Sequence, residues 1–526
     1  MIEVIYFTLS MSFILLSMLG YGLLICKDQS KHDLFFIILT GYFSLGFLAL
    51  LIHFFFPISD ILSIIILSLG LLFLVIRMEY LNDLKIFKKI IIFILFCFIL
   101  IGFSKHPIDT NMYHHPYVSY LNSEKIIFGV AQIQFRFGHV SFLQYVQAVT
   151  SNKFIHELTI ASPNLILFSF FIFYCSDIIL KKYNKKLLFL ITILLSSFIL
   201  IKLSRYREFG NDLIPFLVAS YLLINIFEQV FYKNLNRLRI IILSPIYATF
   251  IFAHKISYLF SALIFIIILE KNDLMKIIKS KYTFVIFLIF SSFWISKNII
   301  TTSCLAYPLV MSCLENTSWY LTGIADPKNA SWLTELWAKD FITNKNWKNI
   351  NLTEYMHSFQ WVPNWLNNHF IKILEKISPL IIVCILIISF LLTKKKDFHN
   401  INQKENKKLF LLLLSVFVGL TIWFLKAPIF RYGSFYIVSF ISIIFIFFIQ
   451  DIVQKVKINE FKKLKTIFII SVVFFVCKNI DRQIKSNDNF FAQTRINIVE
   501  YSEVGNNKLK ILKPKTIGLC YYSGFI

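Results

Sequence analysis

The chain is short of charge. Of its 526 residues only 16% are Asp, Glu, Lys or Arg, and these are lopsided, 29 acids against 53 bases, for a formal charge of +24. A soluble domain carries about a quarter charged residues, so an ordinary soluble fold is excluded over this length. Other absences narrow the chemistry. There is no Walker A sequence, which removes ATP hydrolysis by a P-loop. There is no H-E-x-x-H and no G-x-S-x-G, which removes the helix-borne zinc protease and the α/β-hydrolase elbow. The opening "MIEVIYFTLSMSFILLSMLGYGLLIC" has no basic leader and no small-residue cleavage site, so it reads as a first span and not as a removed signal peptide. No internal repeat and no low-complexity linker interrupts the chain.

What is present is apolar. The chain is 57% hydrophobic, and runs long enough to cross a hydrocarbon core recur from end to end. Spans are expected at about 4–25, 34–56, 60–78, 86–103, 163–180, 187–203, 213–230, 240–253, 256–270, 282–298, 377–393, 408–425, 433–450 and 466–479, about 14 in all. The pair over 240–270 also reads as one kinked span. The expected fold is therefore an all-α polytopic membrane protein with helical outer-face loops.

The basic surplus lies in short loops such as "KKYNKK", "YKNLNRLR" and "KKKDFHNINQKENKK". These alternate with longer, more aromatic loops. Lysine and arginine mark cytoplasmic loops, so the basic set is assigned inside, and nucleic acid is not an expected partner. The opposite set then faces outward: loops 104–160 and 299–376, the short turns 204–212 and 426–432, and the tail. The organisation follows: N-terminal transmembrane helices over 1–85, a transmembrane core over 86–480, and a short extracytoplasmic tail over 481–526. Of the eight cysteines four fall inside the expected spans, whereas Cys304 and Cys313 share an outer loop, as a disulfide or as two buried thiols.

Ionisable groups at membrane depth are costly and are usually paired or functional. On the outer side they form a short set. Asp109 stands in "HPIDTNMYHHPYVSYL" with Tyr113, His114 and His115; a carboxylate there suits a general base, against the plainer reading of an interfacial loop. Arg207 and Asp212 lie in "SRYREFGNDLIPFL", where Asp212 is either a second acid facing Asp109 or a charge on the dipole of the following helix. Lys255 in "FAHKISYLF" needs an anion or snorkels to the interface. Arg431 in "APIFRYGSF" has the fork that grips phosphate, or anchors a span. Arg136, in "QFRFGHVSF", lies in the same loop as Asp109.

In order and sidedness these motifs resemble the GT-C superfamily of integral-membrane glycosyltransferases. "DTNMYHHP" resembles that family's first acidic outer loop, "FGNDLIPFL" its second, "FAHKISYLF" and "APIFRYGSF" its phosphate contacts. The segment holding Asn298, Tyr307 and Pro308 resembles its span-to-loop junction. The resemblance covers about 86–450. It departs from the family in having several spans before the first acidic loop and no tandem acid, so metal dependence stays open: no cofactor is certain and a divalent ion is allowed.

The resemblance implies an inverting transfer of a hexosyl or pentosyl group from a polyprenyl-phosphate donor to a cell-envelope glycan or lipid. Asp109 and Asp212 would be catalytic. Tyr113, His114, Arg136, Arg207, Lys255, Tyr307 and Arg431 would bind substrate. The site would face the periplasmic side of a bacterial inner membrane, in contact with membrane lipids. Two rivals remain. A polysaccharide polymerase or ligase would want arginines in its large outer loop, and 299–376 has none. A flippase-type transporter would want mid-span acids or paired halves, and neither is visible.

Overall fold

A long apolar run in lipid has no water to satisfy its backbone, so the helix, which closes its own hydrogen bonds, is the form open to it. The computed structural model describes residues 2–26, 33–77, 79, 84–101, 113–203, 210–232, 237–270, 272–340, 352–393, 403–485, 500–504 and 509–513. The helices are α1 (Ile2–Ile25), α2 (Leu34–His53), α3 (Asp60–Ile76), α4 (Leu84–Ile101), α5 (His115–Ser123), α6 (Phe142–Val149), α7 (Ser162–Lys181), α8 (Lys186–Lys202), α9 (Leu213–Tyr232) and α10 (Arg237–His254). They continue with α11 (Asp273–Lys279), α12 (Lys281–Thr302), α13 (Pro327–Ala338), α14 (Leu352–His357), α15 (Trp361–Trp365), α16 (Ile371–Leu392), α17 (Gln403–Lys426), α18 (Phe430–Lys455), α19 (Ile458–Phe461) and α20 (Lys465–Lys485). A short antiparallel hairpin, β1 (Glu500–Val504) and β2 (Leu509–Lys513), follows the last helix. The helical expectation holds for the spans, and the hairpin adds strand within the tail.

Among the described residues nine helices are long and apolar enough to cross a membrane, and Asp60–Ile76 and Ile256–Ile267 are shorter apolar helices. This is fewer than the expected count. Helix α8 has only 17 residues, α4 opens on lysines and α20 ends among Lys478, Asp481 and Arg482. The kinked-span alternative over 240–270 is also settled. Helix α10 ends at His254, Lys255 is extended at φ −163°, and a 3-10 helix runs Ile256–Ile267 and packs back on α10. The expected span at 377–393 begins earlier than the apolar run alone indicates: one helical rod covers Trp361–Leu392, because "WVPNWLNNHFIK" carries polar and aromatic residues that a helix tolerates at an interface.

Helices α7, α8 and α9 form the buried spine, and α9 is almost wholly enclosed, with 94% of its apolar stretch buried against 22% for α12. Outer helices turn apolar stripes away from the protein. In α3, Ile61, Ile65, Leu69, Leu72 and Ile76 are all exposed, at the three-and-four spacing of one helix face. An exposed apolar band of this size is foreign to soluble monomers and suits lipid. Helices α1, α2 and α3 pack together closely. A Cβ on Gly20 would collide with the carbonyl of Gly70, and one on Gly41 with that of Met18. Such small-residue contacts let helix backbones approach each other in membranes.

The basic loops gather at one end. Glu228, at the end of α9, takes Lys182 at 2.9 Å and Lys185 at 2.6 Å. Asp177 takes Lys89 at 2.5 Å and Lys181 at 2.7 Å. Lys186 donates to the carbonyls of Val453 and Gln454 at the end of α18, at 3.1 and 2.9 Å, and Lys408 to that of Val230 at 2.7 Å. The alternation of basic and aromatic loops thus becomes two opposite ends of the bundle, a basic end and a second end that carries the candidate site.

Candidate functional site

At the second end the start of α9 meets the break after α10 and the start of α18. Asp212, just before α9, forms an ion pair with Lys255, and their side chains are only 8% and 12% exposed. The Lys255 ammonium stands 4.0 Å from the Tyr432 ring centroid, and the Arg431 guanidinium stands 4.8 Å from the same ring. Arg431 also donates to the Tyr432 hydroxyl at 2.9 Å. Two cations therefore share one aromatic platform, with the Asp212 carboxylate paired to one of them, an arrangement rich in charge-assisted donors. Its backbone is pinned. Asn211 donates to the His254 carbonyl at 3.3 Å, Asn164 to that of Gly210 at 3.3 Å, and Tyr436 to that of Ser257 at 2.8 Å.

A second group adjoins it. Ser141 caps α6 in a capping box: its hydroxyl accepts from Leu143 N at 3.2 Å, and Gln144 Oε1 accepts from Ser141 N at 2.9 Å. That bond fixes which way the Gln144 amide points, so its Nε2 faces His114 Nδ1 at 2.7 Å. His114 then accepts at Nδ1 and carries its proton on Nε2. Pro116 sits in the first turn of α5, where it starts a helix instead of breaking one. Beside His114, Arg136 stands 5.2 Å from the Tyr113 ring centroid and 5.4 Å from that of Phe135. The two groups share a floor. Phe142 packs on His254 at 5.5 Å, and Tyr42 donates to His254 Nε2 at 2.9 Å while His254 Nδ1 donates to Phe250 O at 2.8 Å.

Tyr307 lies in the loop that follows α12. Its hydroxyl donates to Ala325 O at 2.8 Å and its ring packs edge-on against His139 at 5.2 Å. A Cβ on Gly138 would strike that ring. Cys304 and Cys313 form a disulfide, closing the loop that carries Tyr307. Asn298 donates to Leu305 O at 2.8 Å, so Asn298 at this span-to-loop junction orders the loop.

Burial pulls the His139 imidazole down to about 4 from its ordinary value near 6.5, and the charge of Arg136 adds to this. Between these values the unfolded chain binds a proton that the folded chain does not, so stability falls on acidification through that window. His139→Phe is expected to flatten this slope. Thermal unfolding from pH 4 to 7 measures it, and parallel slopes for variant and wild type would refute the assignment.

The structure thus brings Asp212, Lys255 and Arg431 into one group and Tyr113, His114 and Arg136 into the adjoining one. Asp109 and Arg207 lie outside the described residues. Asp212 pairs with Lys255, and the expectation that it faces Asp109 falls on residues outside those described. Among the described residues no group of three or more His, Cys, Asp or Glu is placed to hold a metal ion. Sequence reasoning passed over Gln144 and Lys297. The signal for Lys297 was present in "WISKNII": a lysine inside an apolar run, at the end away from the basic loops.

These features define a helical protein of membrane-spanning dimensions with a charged, aromatic-floored site at one end of its bundle. The chain belongs to the family described as Domain of unknown function (DUF8201), which it matches over residues 4–438. No curated protein matches it, and no solved structure does.

Proposed function

We propose that this protein is a membrane glycosyltransferase that moves a sugar from a polyprenyl-phosphate carrier to a cell-envelope glycan or lipid. The observation that carries the reading is the convergence of Lys255 and Arg431 on Tyr432 beside Asp212. In the proposed step the Asp109 carboxylate takes the proton of the acceptor hydroxyl. The acceptor oxygen attacks the anomeric carbon, and the bond from that carbon to the phosphate oxygen breaks on the opposite face. The electron pair leaves on the polyprenyl phosphate, whose charge Lys255 and Arg431 neutralise. The product is inverted. Asp212 holds Lys255 in place, while His114, locked by Gln144, and Tyr113 beside Arg136 line the acceptor side. No step requires a metal.

The site end is assigned to the extracytoplasmic face of a bacterial inner membrane. Two features support this. The lysine-rich segments collect at the opposite end, as cytoplasmic loops do, and the Cys304–Cys313 disulfide suits an oxidising compartment.

The test is transfer of labelled sugar from a polyprenyl-phosphate donor to envelope extract by purified protein. Arg431→Gln is expected to lower the rate about 10²–10³-fold, the cost of losing one preorganised charge donor. Absence of transfer with every such donor, alongside counter-flow of a lipid-linked glycan in vesicles, would replace this reading with transport.

A further inference from the structure

Helix α12 starts at Lys281, just after Lys276 and Lys279 of α11, and has 22 residues. That is about 33 Å of helix, close to the ~30 Å of a hydrocarbon core. Only 22% of its apolar stretch is buried, so most of its surface is left to lipid. The chain that follows therefore emerges at the membrane boundary of the site end. Ser303, left-handed at φ 61°, turns it there, and the Cys304–Cys313 disulfide closes a hairpin.

The hairpin has two unlike sides. Tyr307 faces the protein, with its hydroxyl on Ala325 O and its ring against His139. Leu309, Met311 and Leu314 face away and are 51%, 95% and 46% exposed. From Asn298 to Leu314 the sequence holds no Asp, Glu, Lys, Arg or His. Charge resumes directly afterwards, with Glu315, Asp326, Lys328 and Glu335. The backbone of the hairpin is closed largely on itself. Leu305 N donates to Ser312 O at 2.9 Å, Ser312 N to Leu309 O at 2.9 Å, Cys313 N to Val310 O at 3.0 Å and Leu314 N to Ser303 O at 2.7 Å. The Ser312 hydroxyl accepts from Ala306 N at 3.1 Å, and Pro308 has no N–H to satisfy. A segment whose donors are used internally loses little by leaving water, which is what contact with lipid demands. A neighbouring segment has the same character. "IIFGVAQI" over 126–133 is uncharged, is tied to α12 where Gly129 N donates to Ile300 O at 2.8 Å, and exposes Phe128 and Ile133.

We propose that the stapled hairpin is seated in the membrane, with its Leu309–Met311 face among the acyl chains just below the headgroups of the leaflet at the site end. Its partner is bilayer lipid. The surface continues the lipid-facing side of α12, carries no charge and spends its own hydrogen bonds. Because Tyr307 on the other side packs on His139, three residues from Arg136, the bilayer and the Tyr113–Arg136 group meet across one hairpin.

The test uses the full chain in nanodiscs of phosphatidylcholine that carries a diazirine near the top of one acyl chain. After photolysis, labelled peptides are read by mass spectrometry. No sugar donor is present, so the outcome is independent of the transfer reading. Label is expected over 305–314 at a level similar to the exposed stripe of α12, which serves as the control for folding and insertion. The peptide holding Lys328 and Asn329, exposed in the charged part of the same loop, should stay unlabelled. Met311→Asp should lower label over 305–314 by about tenfold with α12 unchanged, since a carboxylate partitions out of acyl chains, and Met311→Leu should keep it. A hairpin left unlabelled while α12 is labelled would overturn the proposal, and in discs holding two copies it would assign the face to a second copy instead. Equal label on the Lys328–Asn329 peptide, or label over 305–314 that Met311→Asp does not lower, would overturn it as well.

Discussion

Lys255→Met is expected to destabilise the site end of the bundle by about 3–5 kcal/mol, the cost of breaking a buried ion pair from one side. Both partners are nearly enclosed, so the variant leaves the Asp212 carboxylate without the ammonium that answers it. The pair also ties the start of α9 to the break between α10 and the 3-10 helix, so the loss should loosen both. Asp212→Asn/Lys255→Met removes both charges and should recover much of the stability, because the penalty lies in the charge left behind and not in the missing pair. Thermal unfolding of the two single variants and the double variant in one detergent closes the cycle. A single variant as stable as wild type, or a double variant whose loss equals the sum of the singles, would remove the coupling. Sugar transfer should fall in Lys255→Met well beyond what the folded fraction explains, since the same ammonium is proposed to face the leaving phosphate.

Asp109→Asn is expected to lower transfer about 10²–10⁴-fold, the range contributed by a positioned general base. The amide matches the carboxylate in size but cannot take the acceptor's proton. His114→Ala should cost less, because in the proposed step it lines the acceptor side and moves no proton. The assay is the donor-to-extract transfer described above, with single-turnover rates to separate chemistry from binding. Equal transfer by Asp109→Asn and wild type would sink the base assignment and leave the phosphate contacts standing by themselves.

Much of this was legible in the linear chain, for a local reason. Helix formation and lipid compatibility depend on residues a few positions apart, so apolar runs bounded by lysines announced the helices without any tertiary knowledge. Span limits were less legible. The helix over Trp361–Leu392 begins in residues too polar to read as a membrane run, and the 3-10 stretch Ile256–Ile267 has the same composition as an α-helix. Individual candidates were legible as types, with a lysine that needs an anion and an arginine that opens a span, but not as partners.

By itself, then, the sequence determined that this chain is built of apolar helices, that its basic segments fall on one side, and that its few charges elsewhere include Asp109, Asp212, Lys255 and Arg431. Only the tertiary structure decided how the described charges are used. It paired Asp212 with Lys255, seated Lys255 and Arg431 on one tyrosine, turned Gln144 toward His114, joined Cys304 to Cys313, and buried Lys297 beside Asn298 and Trp294. The physical reason is range. A helix is closed by hydrogen bonds four residues apart, which the sequence writes down. The Asp212–Lys255, Lys255–Tyr432 and Gln144–His114 contacts join residues tens to hundreds of positions apart, and they exist only once packing has brought separate helices together.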